Sequence, residues 1–562
     1  MPNKKLTVFQ KSIEGYLLEE GFSRVEPALA GQLLMRGKIV TKNKEFDTLI
    51  EVPSDVPASH PKFYTINNDM VFYHPHIERP KKEDIGTLTG MCFQKENEKL
   101  YCNNSQELIH HAYNKYEKLC IDLSDDVFDK KRDFLEEFDS YWPRSINLDI
   151  FMHIDTKPKD RSMLSLVILK SDDEQQQAIL YDDIHVIDKY VEFSKYDVVN
   201  KLICPYIDIG SHFSLPFPST YKDLMRLFYK SGHVKFLKKL QSNQNIWSVL
   251  IIGLDLPNGE KHYAAVSLLD IKDEKLIEKK SKYQVFFTKR YENIHFKGIN
   301  IKSILRKWLM QRGGNDSTRH IAENNFTVAI LGCGSVGSNL AYKLCKSGIS
   351  NIILVDPHEL KSSNIGRHFL GISEVGKKKV VAMQTVLQSQ FIDMDVKAID
   401  KSAQQCIDEF SSADLIIGTI GSDEPSVEPY LAELTIRDEL SPMFICWLEA
   451  NAVAGHGFYV DQKIVSNSYE QKTEDMSILI QDFASGLIQN EVGCNSDYMP
   501  YSHLSADEHI NKMAQFVVDI ALDKRLSRAI SSYGNVTQYK NELLYQAQSN
   551  SVKYWNDDDF EI

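Results

Sequence analysis

Residues Val328–Leu340 read VAILGCGSVGSNL, an apolar run that breaks into glycines and resumes as a helical pattern. Gly332, Gly334 and Gly337 form G-x-G-x-x-G directly after a strand-like segment, the arrangement that seats a phosphate on a helix N-terminus. Asp356 ends the next apolar run, 19 residues after Gly337, where an acidic side chain reaches ribose hydroxyls. The motif leaves two readings open: a dinucleotide that carries hydride, or a nucleotide consumed in the reaction.

Working outward, FTVAILG, SNLAYKLCKSG and NIILVD alternate strand and helix patterns, and GKKKVVAMQTVLQSQF, DVKAID and ADLIIGTIG continue them. This βαβ alternation predicts a mainly parallel, doubly wound α/β sheet over residues 321–562. The segment Ser363-Asn364-Ile365-Gly366-Arg367, followed by lysines, suits triphosphate chemistry better than hydride transfer. Arg367 can pair bidentately with phosphate oxygens, Lys379 can place a point charge on them, and Asn364 can orient a carboxylate or a phosphate. Lys377 and Lys378 read as a solvated helix start.

Upstream, residues 1–125 open with LTVFQKSIEGYLLEEGF, pass through short strand-like runs, and close with SQELIHHAYNKYEKLCIDL. Helix, antiparallel strands and helix predict a small α+β domain. Residues 126–320 alternate an acidic helical piece with strand-like runs, an α+β connecting or docking region in which no catalytic constellation is legible.

Composition narrows the class. A formal charge of −13 argues against a nucleic-acid partner, whose readers carry a basic face. No apolar stretch approaches the roughly 18 residues that cross a bilayer, so a cytoplasmic protein without a membrane partner is expected. Nine scattered cysteines without any C-x-x-C fit reduced thiols better than disulfides or a zinc site. Cys494, in NEVGCNSDYMPYSHLSADEHINKMAQ, lies among glycine, polar residues and a proline before a helical run, an accessible setting for a nucleophile. Cys333, Cys345 and Cys446 lie in apolar or helical surroundings and read as inert.

The glycine loop, Asp356, S-N-x-x-R and a lysine three residues after Gly376 resemble the ThiF-type adenylation domains of ubiquitin-activating enzymes over roughly residues 321–530. The resemblance implies Mg-ATP, adenylation of a partner protein's C-terminal carboxylate, pyrophosphate release, a thioester on a cysteine and a homodimer. The family's magnesium-binding aspartate has no gapless counterpart: Gly421 falls there, and Asp423 is the nearest carboxylate. The segment ICWLEANAVAGHGFYV, and Cys494 followed by a Pro-x-Ser (Pro500 to Ser502) and a helical run, are similar to the fused bacterial members of this class.

In the N-terminal region, HPKFYTINNDMVFYHPHI followed by GTLTGMCF resembles ubiquitin-conjugating enzymes, matching Tyr73, His74, Pro75, Gly90 and Cys92. His76 stands where those enzymes carry an oxyanion-stabilising asparagine; it can donate the equivalent hydrogen bond or simply pack. Cys102 and Cys120 compete with Cys92 for the active position. Together the regions resemble the fused activating–conjugating enzymes of bacterial antiphage operons of the CBASS type. That resemblance implies a relay from Cys494 to Cys92 and onto a target amine, with a cyclic-nucleotide synthase as the partner whose C-terminus is used. A ubiquitin-like protein as partner, an NAD-dependent oxidoreductase and a non-catalytic binding module are the alternatives.

Overall fold

A computed structural model describes residues 6–26, 32–56, 59–66, 74–77, 81–83, 86–93, 104–142, 149–213, 215–241, 247–269, 282–310, 321, 323–421, 424, 426–464, 473–474, 476–477, 489–490, 497–498, 500–525, 527–534 and 551–560. Two compact units result. One comprises Met1–Ile150, Lys157–Val167 and Lys201–Lys302; the other Phe151–Thr156, Ile168–Asn200 and Ser303–Ile562.

The first unit begins with α1 (Val8–Glu19), whose start is fixed by a capping box. Thr7 Oγ1 accepts from the Gln10 N–H at 3.1 Å, and Gln10 Oε1 accepts from the Thr7 N–H at 3.0 Å. Six antiparallel strands follow: β1 (Ser23–Val25), β2 (Leu33–Val40), β3 (Glu45–Val52), β4 (Lys62–Ile66), β5 (Lys81–Glu83) and β6 (Gly86–Gly90), in spatial order β1-β2-β3-β4-β6-β5. Alternation along β2 sends Leu33, Met35 and Ile39 inward, under α1 and α2 (Ser105–Asp125). Gly37 breaks the pattern because a Cβ there would stand 2.6 Å from the Phe22 ring. The expected order of helix, antiparallel sheet and helix is therefore present.

Beyond α2 come the short helices α3 (Lys130–Glu136) and α4 (Phe138–Tyr141). Strands β7 (Ile150–His153), β8 (Ser162–Ser171) and β9 (Gln176–Tyr181) precede α5 (Ile184–Phe193) and the long β10 (Tyr196–Gly210). Helices α6 (Tyr221–Lys230) and α7 (Val234–Leu240) are followed by β11 (Val249–Asp255), β12 (Lys261–Ser267) and β13 (Lys297–Ser303). Phe134, Phe138 and Trp142 pack with Phe217, Phe228 and Phe296 in an aromatic core of the first unit.

The second unit holds an eight-stranded sheet in the order β16-β15-β14-β17-β18-β19-β22-β23. Strands β14 (Thr327–Leu331), β15 (Asn351–Val355), β16 (Asp395–Ile399), β17 (Leu415–Gly418) and β18 (Met443–Leu448) run parallel. Along β14, Val328 and Ile330 face the core with α8 (Ser335–Lys346) and α11 (His503–Ala521). Ala329 and Leu331 face the core with α10 (Val427–Ile436). Both faces are covered, so the run is continuously apolar.

The sheet departs from a wholly parallel one at its far edge. β19 (Ala454–Val460), β22 (Ala529–Tyr533) and β23 (Val552–Trp555) are antiparallel additions, because the turn Ala450–Ala452 is too short for a crossover. Strands β20 (Gln489–Asn490) and β21 (Asp497–Tyr498) form a separate two-stranded ribbon. Among the described residues no helix is long and apolar enough to cross a membrane.

Candidate nucleotide and acyl-transfer sites

Strand order in the second unit reverses between β15 and β17, on either side of β14, and the crevice at such a switch point is where open α/β sheets bind ligands. A cleft lies there, lined by Gly332, Gly334, Asp356, His358, Lys379, Thr419 and Glu424 among others. Its floor depends on two glycines. Gly332 has φ +87°, and a Cβ on it would meet the Thr419 carbonyl oxygen at 2.7 Å. A Cβ on Gly337 would stand 2.0 Å from the Gly332 oxygen. Gly334 differs, with open space where its side chain would be. It lines the cleft as the N-cap of α8 and supplies no side-chain cap, so no oxygen of its own side chain competes for the first N–H groups of the helix.

Asp356 is buried at 4% exposure and holds the loops together. Its Oδ2 accepts from the Cys333 N–H at 2.7 Å, its Oδ1 from the His358 N–H at 2.8 Å, and Lys379 Nζ lies 3.7 Å from Oδ2. Lys379 opens α9 (Lys379–Gln388) and is itself buried, so its charge points into the cleft region and not to bulk water. Gly332, Gly334, Asp356 and Lys379 are thus brought together as the sequence suggests.

Arg367 and Asn364 do not line this cleft. The Asn364 side chain accepts from the Lys361 N–H at 3.0 Å, closing a local turn. The Arg367 guanidinium lies over the Tyr501 ring at 4.8 Å, and Tyr501 OH hydrogen-bonds Ser335 at the start of α8. Asn339 Nδ2 donates to both the Ser335 and Arg367 carbonyls, at 2.6 and 2.8 Å. The arginine is therefore tied to the first turn of the glycine-loop helix through other side chains.

Two residues, His368 and Glu428, escaped the sequence reading. His368 is buried, its Nε2 3.0 Å from the Cys333 carbonyl and its Nδ1 accepting from the Leu370 N–H, and burial pushes its pKa down to about 4. A neutral ring thus braces the glycine loop. Glu428 accepts from the Ile420 N–H at 2.8 Å at the end of β17, and burial raises its carboxyl to about 7. The Trp-x-Glu and Gly-His positions of ICWLEANAVAGHGFYV form a buried network: Glu449 Oε1 to His456 Nε2 at 2.7 Å, and His456 Nδ1 to Ser531 Oγ at 2.8 Å. The metal candidate Asp423 lies outside the described residues; Glu424, its neighbour, lines the cleft. Among the described residues no three His, Cys, Asp or Glu side chains gather to hold a metal. An ion held by one or two carboxylates plus phosphate oxygens needs no such cluster, and Asp356 and Glu424 are the carboxylates that line the cleft.

Cys494 also lies outside the described residues, in the sequence between β20 and β21. Among the seven described cysteines Cys92 is exposed and the rest are buried. Burial pushes Cys120 and Cys345 up to about 12. Pro75 is buried and Gly90 pairs with Tyr64, while Tyr73 and Cys102 lie outside the described residues. Beside Cys92 stands His76, whose ring hydrogen-bonds both Cys92 and Glu137 and whose pKa rises to about 10 through them, against burial.

Residues 306–471 match the ThiF family. The chain is 29% identical over 140 residues to ubiquitin-like modifier-activating enzyme 5 of Bombyx mori, covering 23% of this chain and 36% of that protein. It is 25% identical over 241 residues to the ATP-dependent ubiquitin transferase-like protein Cap2 of Vibrio cholerae serotype O1, covering 39% of each. Among solved structures, E. coli MccB with ATP aligns at a TM-score of 0.32 and 15% identity, over 43% of this chain and 72% of that one. The chain spans little more than a third of the length of the curated relatives it matches. The glycine loop, Asp356 and Lys379 therefore lie within the residues that match the ThiF family, a stretch similar in sequence to ubiquitin-like modifier-activating enzymes.

Proposed function

We propose that this chain adenylates the C-terminal carboxylate of a partner protein with Mg-ATP, and relays the acyl group from Cys494 to Cys92 and onto a target amine. The observation that carries the reading is the open N-terminus of α8 at Gly334, which lines a cleft with Asp356 and Lys379. In this reading the first N–H groups of α8 hold phosphate oxygens, Asp356 takes the ribose, and Lys379 neutralises charge on the phosphates. Arg367, released from Tyr501, and Asn364 complete the phosphate and carboxylate contacts. Asp423, with Glu424 next to it in the sequence, would hold magnesium, which when bound would supply charge neutralisation to the phosphates.

The partner carboxylate attacks the α-phosphorus; a P–O bond to pyrophosphate breaks and an acyl adenylate forms. The Cys494 thiolate displaces AMP, the Cys92 thiolate displaces Cys494, and an amine displaces Cys92. A connecting region, residues 126–320, joins a conjugating-like domain, residues 1–125, to the adenylation domain, residues 321–562, and raises the effective concentration of one thiol at the other. A cyclic-nucleotide synthase tail is the partner we favour, with a ubiquitin-like protein as the alternative, in a cytoplasmic homodimer. Lys379 at the cleft favours phosphate chemistry over hydride transfer.

Intact-protein mass spectrometry tests the relay. Wild type, Cys92→Ala and Cys494→Ala are incubated with ATP, magnesium and a candidate partner, with and without thiol reductant. The expected result is a reductant-labile adduct that vanishes in Cys494→Ala and accumulates on Cys494 in Cys92→Ala. An absence of ATP–pyrophosphate exchange with every partner would sink the reading.

A further inference from the structure

The segments 74–77 and 91–93 run side by side in the first unit. Ile77 and Met91 form an antiparallel bridge, and the Cys92 N–H donates to the His76 carbonyl at 2.8 Å. His76 is held at φ +64°, a left-handed conformation that a residue with a Cβ adopts only when its surroundings impose it. Those surroundings come from α3, α4 and the residue between them. Tyr141 OH accepts from the His76 N–H at 2.5 Å and donates to Glu137 Oε2 at 3.2 Å. Glu137 Oε1 lies 3.3 Å from His76 Nδ1, and the ring also hydrogen-bonds the Cys92 side chain. Phe128 packs on the imidazole with centroids 5.4 Å apart, and Asp133 adds a further negative charge nearby. The result is a line from an exposed sulfur through an imidazole to a carboxylate, with the ring fixed at both its backbone and its side chain.

This arrangement exceeds what a thiol needs merely to carry an acyl group. A thioester that meets an amine has a different requirement, because the nitrogen gains positive charge as it attacks and must lose a proton for the amide to persist. Resting on the reading that Cys92 bears an acyl group, we infer that His76 takes that proton and that Glu137, braced by Tyr141, is the positioning residue that aims the ring. In the step, a C–N bond forms and the acyl C–S bond breaks. The electron pair leaves on Cys92 Sγ, the amine proton passes to the imidazole, and the thiol regains a proton from the ring or from water. Before acylation the hydrogen bond with Cys92 is the largest cause keeping the ring protonated, followed by that with Glu137. Conversion of the sulfur to a thioester, a poor acceptor, removes the first cause and frees the ring to release its proton before the amine arrives. Glu137 then prevents the released ring from turning away.

The test bypasses the ATP-dependent steps. Full-length protein is acylated with N-acetylglycyl mercaptoethanesulfonate thioester, free lysine is added, and loss of the Cys92 adduct is followed by intact mass, with Cys92→Ala defining background at other thiols. Iodoacetamide labelling of Cys92 in each variant checks that the segment remains folded and accessible. Wild type should transfer to lysine about 10²–10⁴-fold faster than His76→Gln, and added imidazole should restore part of the rate in His76→Ala. Glu137→Gln should be slower than wild type, with the inflection of its pH–rate profile at lower pH, because the substitution removes a charge that raises the ring's affinity for its proton. Equal rates in wild type, His76→Gln and Glu137→Gln across pH 6–10 would overturn the inference, as would failure of Cys92 to accept the acyl group. If chemical loading gives His76-dependent transfer while no partner is loaded with ATP, the relay fails and this inference stands.

Discussion

At the scale of single residues, the glycine loop was legible because its constraints are written in spacing. Gly332 needs a left-handed backbone and Gly337 a close approach of chain to chain, so each position excludes every other side chain. Glu428 and His368 left no such trace, since burial and partners from distant positions define what they do. Glu428 gives a direct test. Its folded carboxyl is raised from 4.5 to about 7, so the folded state binds the extra proton and stability falls as pH rises between those values. Glu428→Gln, which has no proton to lose, should gain on wild type by on the order of 3 kcal/mol between pH 4.5 and pH 8. Denaturant melts at several pH values would read this, and parallel pH profiles for the two proteins would refute it. The same reasoning explains why Glu137 was missed: its position 61 residues beyond His76 carries no motif.

At the scale of elements, alternation and period located the glycine-loop strands and helices and the first helix and sheet. KYQVFF, which alternates like a strand, instead forms a 3-10 helix over Lys282–Phe287, and α5, α6 and α7 escaped the sequence reading. ICWLEANAVAGHGFYV carries no glycine or proline between its two apolar runs, yet Asn451 and Ala452 take φ +55° and +50°, turning β18 back into β19. Asn451, a residue type enriched in the left-handed region, was the one weak signal of the reversal; Ala452 gave none. The start of α1 is the opposite case, since Thr7 and Gln10 spell a capping box three residues apart. Thr7→Ala should cost about 1 kcal/mol, measured as a shift in denaturant midpoint with an unchanged slope. No loss would mean that Gln10, which also donates to the Val52 carbonyl at 3.2 Å, anchors the helix by itself.

At the scale of the whole molecule, composition marks where the chain changes character but not where it returns. Residues 151–156 and 168–200 belong with 303–562, and α5 contributes Lys189 to an ion pair with Asp395 at the start of β16. A fragment beginning at residue 303 lacks those segments of its own unit. It should melt below the corresponding transition of the full chain, and supplying residues 151–200 on the same fragment should recover part of the difference. Identical melting of the two fragments would show that the inserted segments contribute nothing to that unit.

The aromatic core around Phe134 and Phe138 adds a dimension of time. The two helices that flank Glu137, the second of them carrying Tyr141, bury those rings against residues as late as Phe296, whereas the core beneath α1 and α2 closes within the first 130 residues. On a ribosome adding about 5–20 residues per second, the cradle of Cys92 therefore waits on the order of ten seconds for its far wall to be translated. During that interval the nascent thiol has its sheet but not the fully seated carboxylate. Any acyl group or oxidant that reaches it then meets a cysteine whose neighbouring imidazole is not yet aimed.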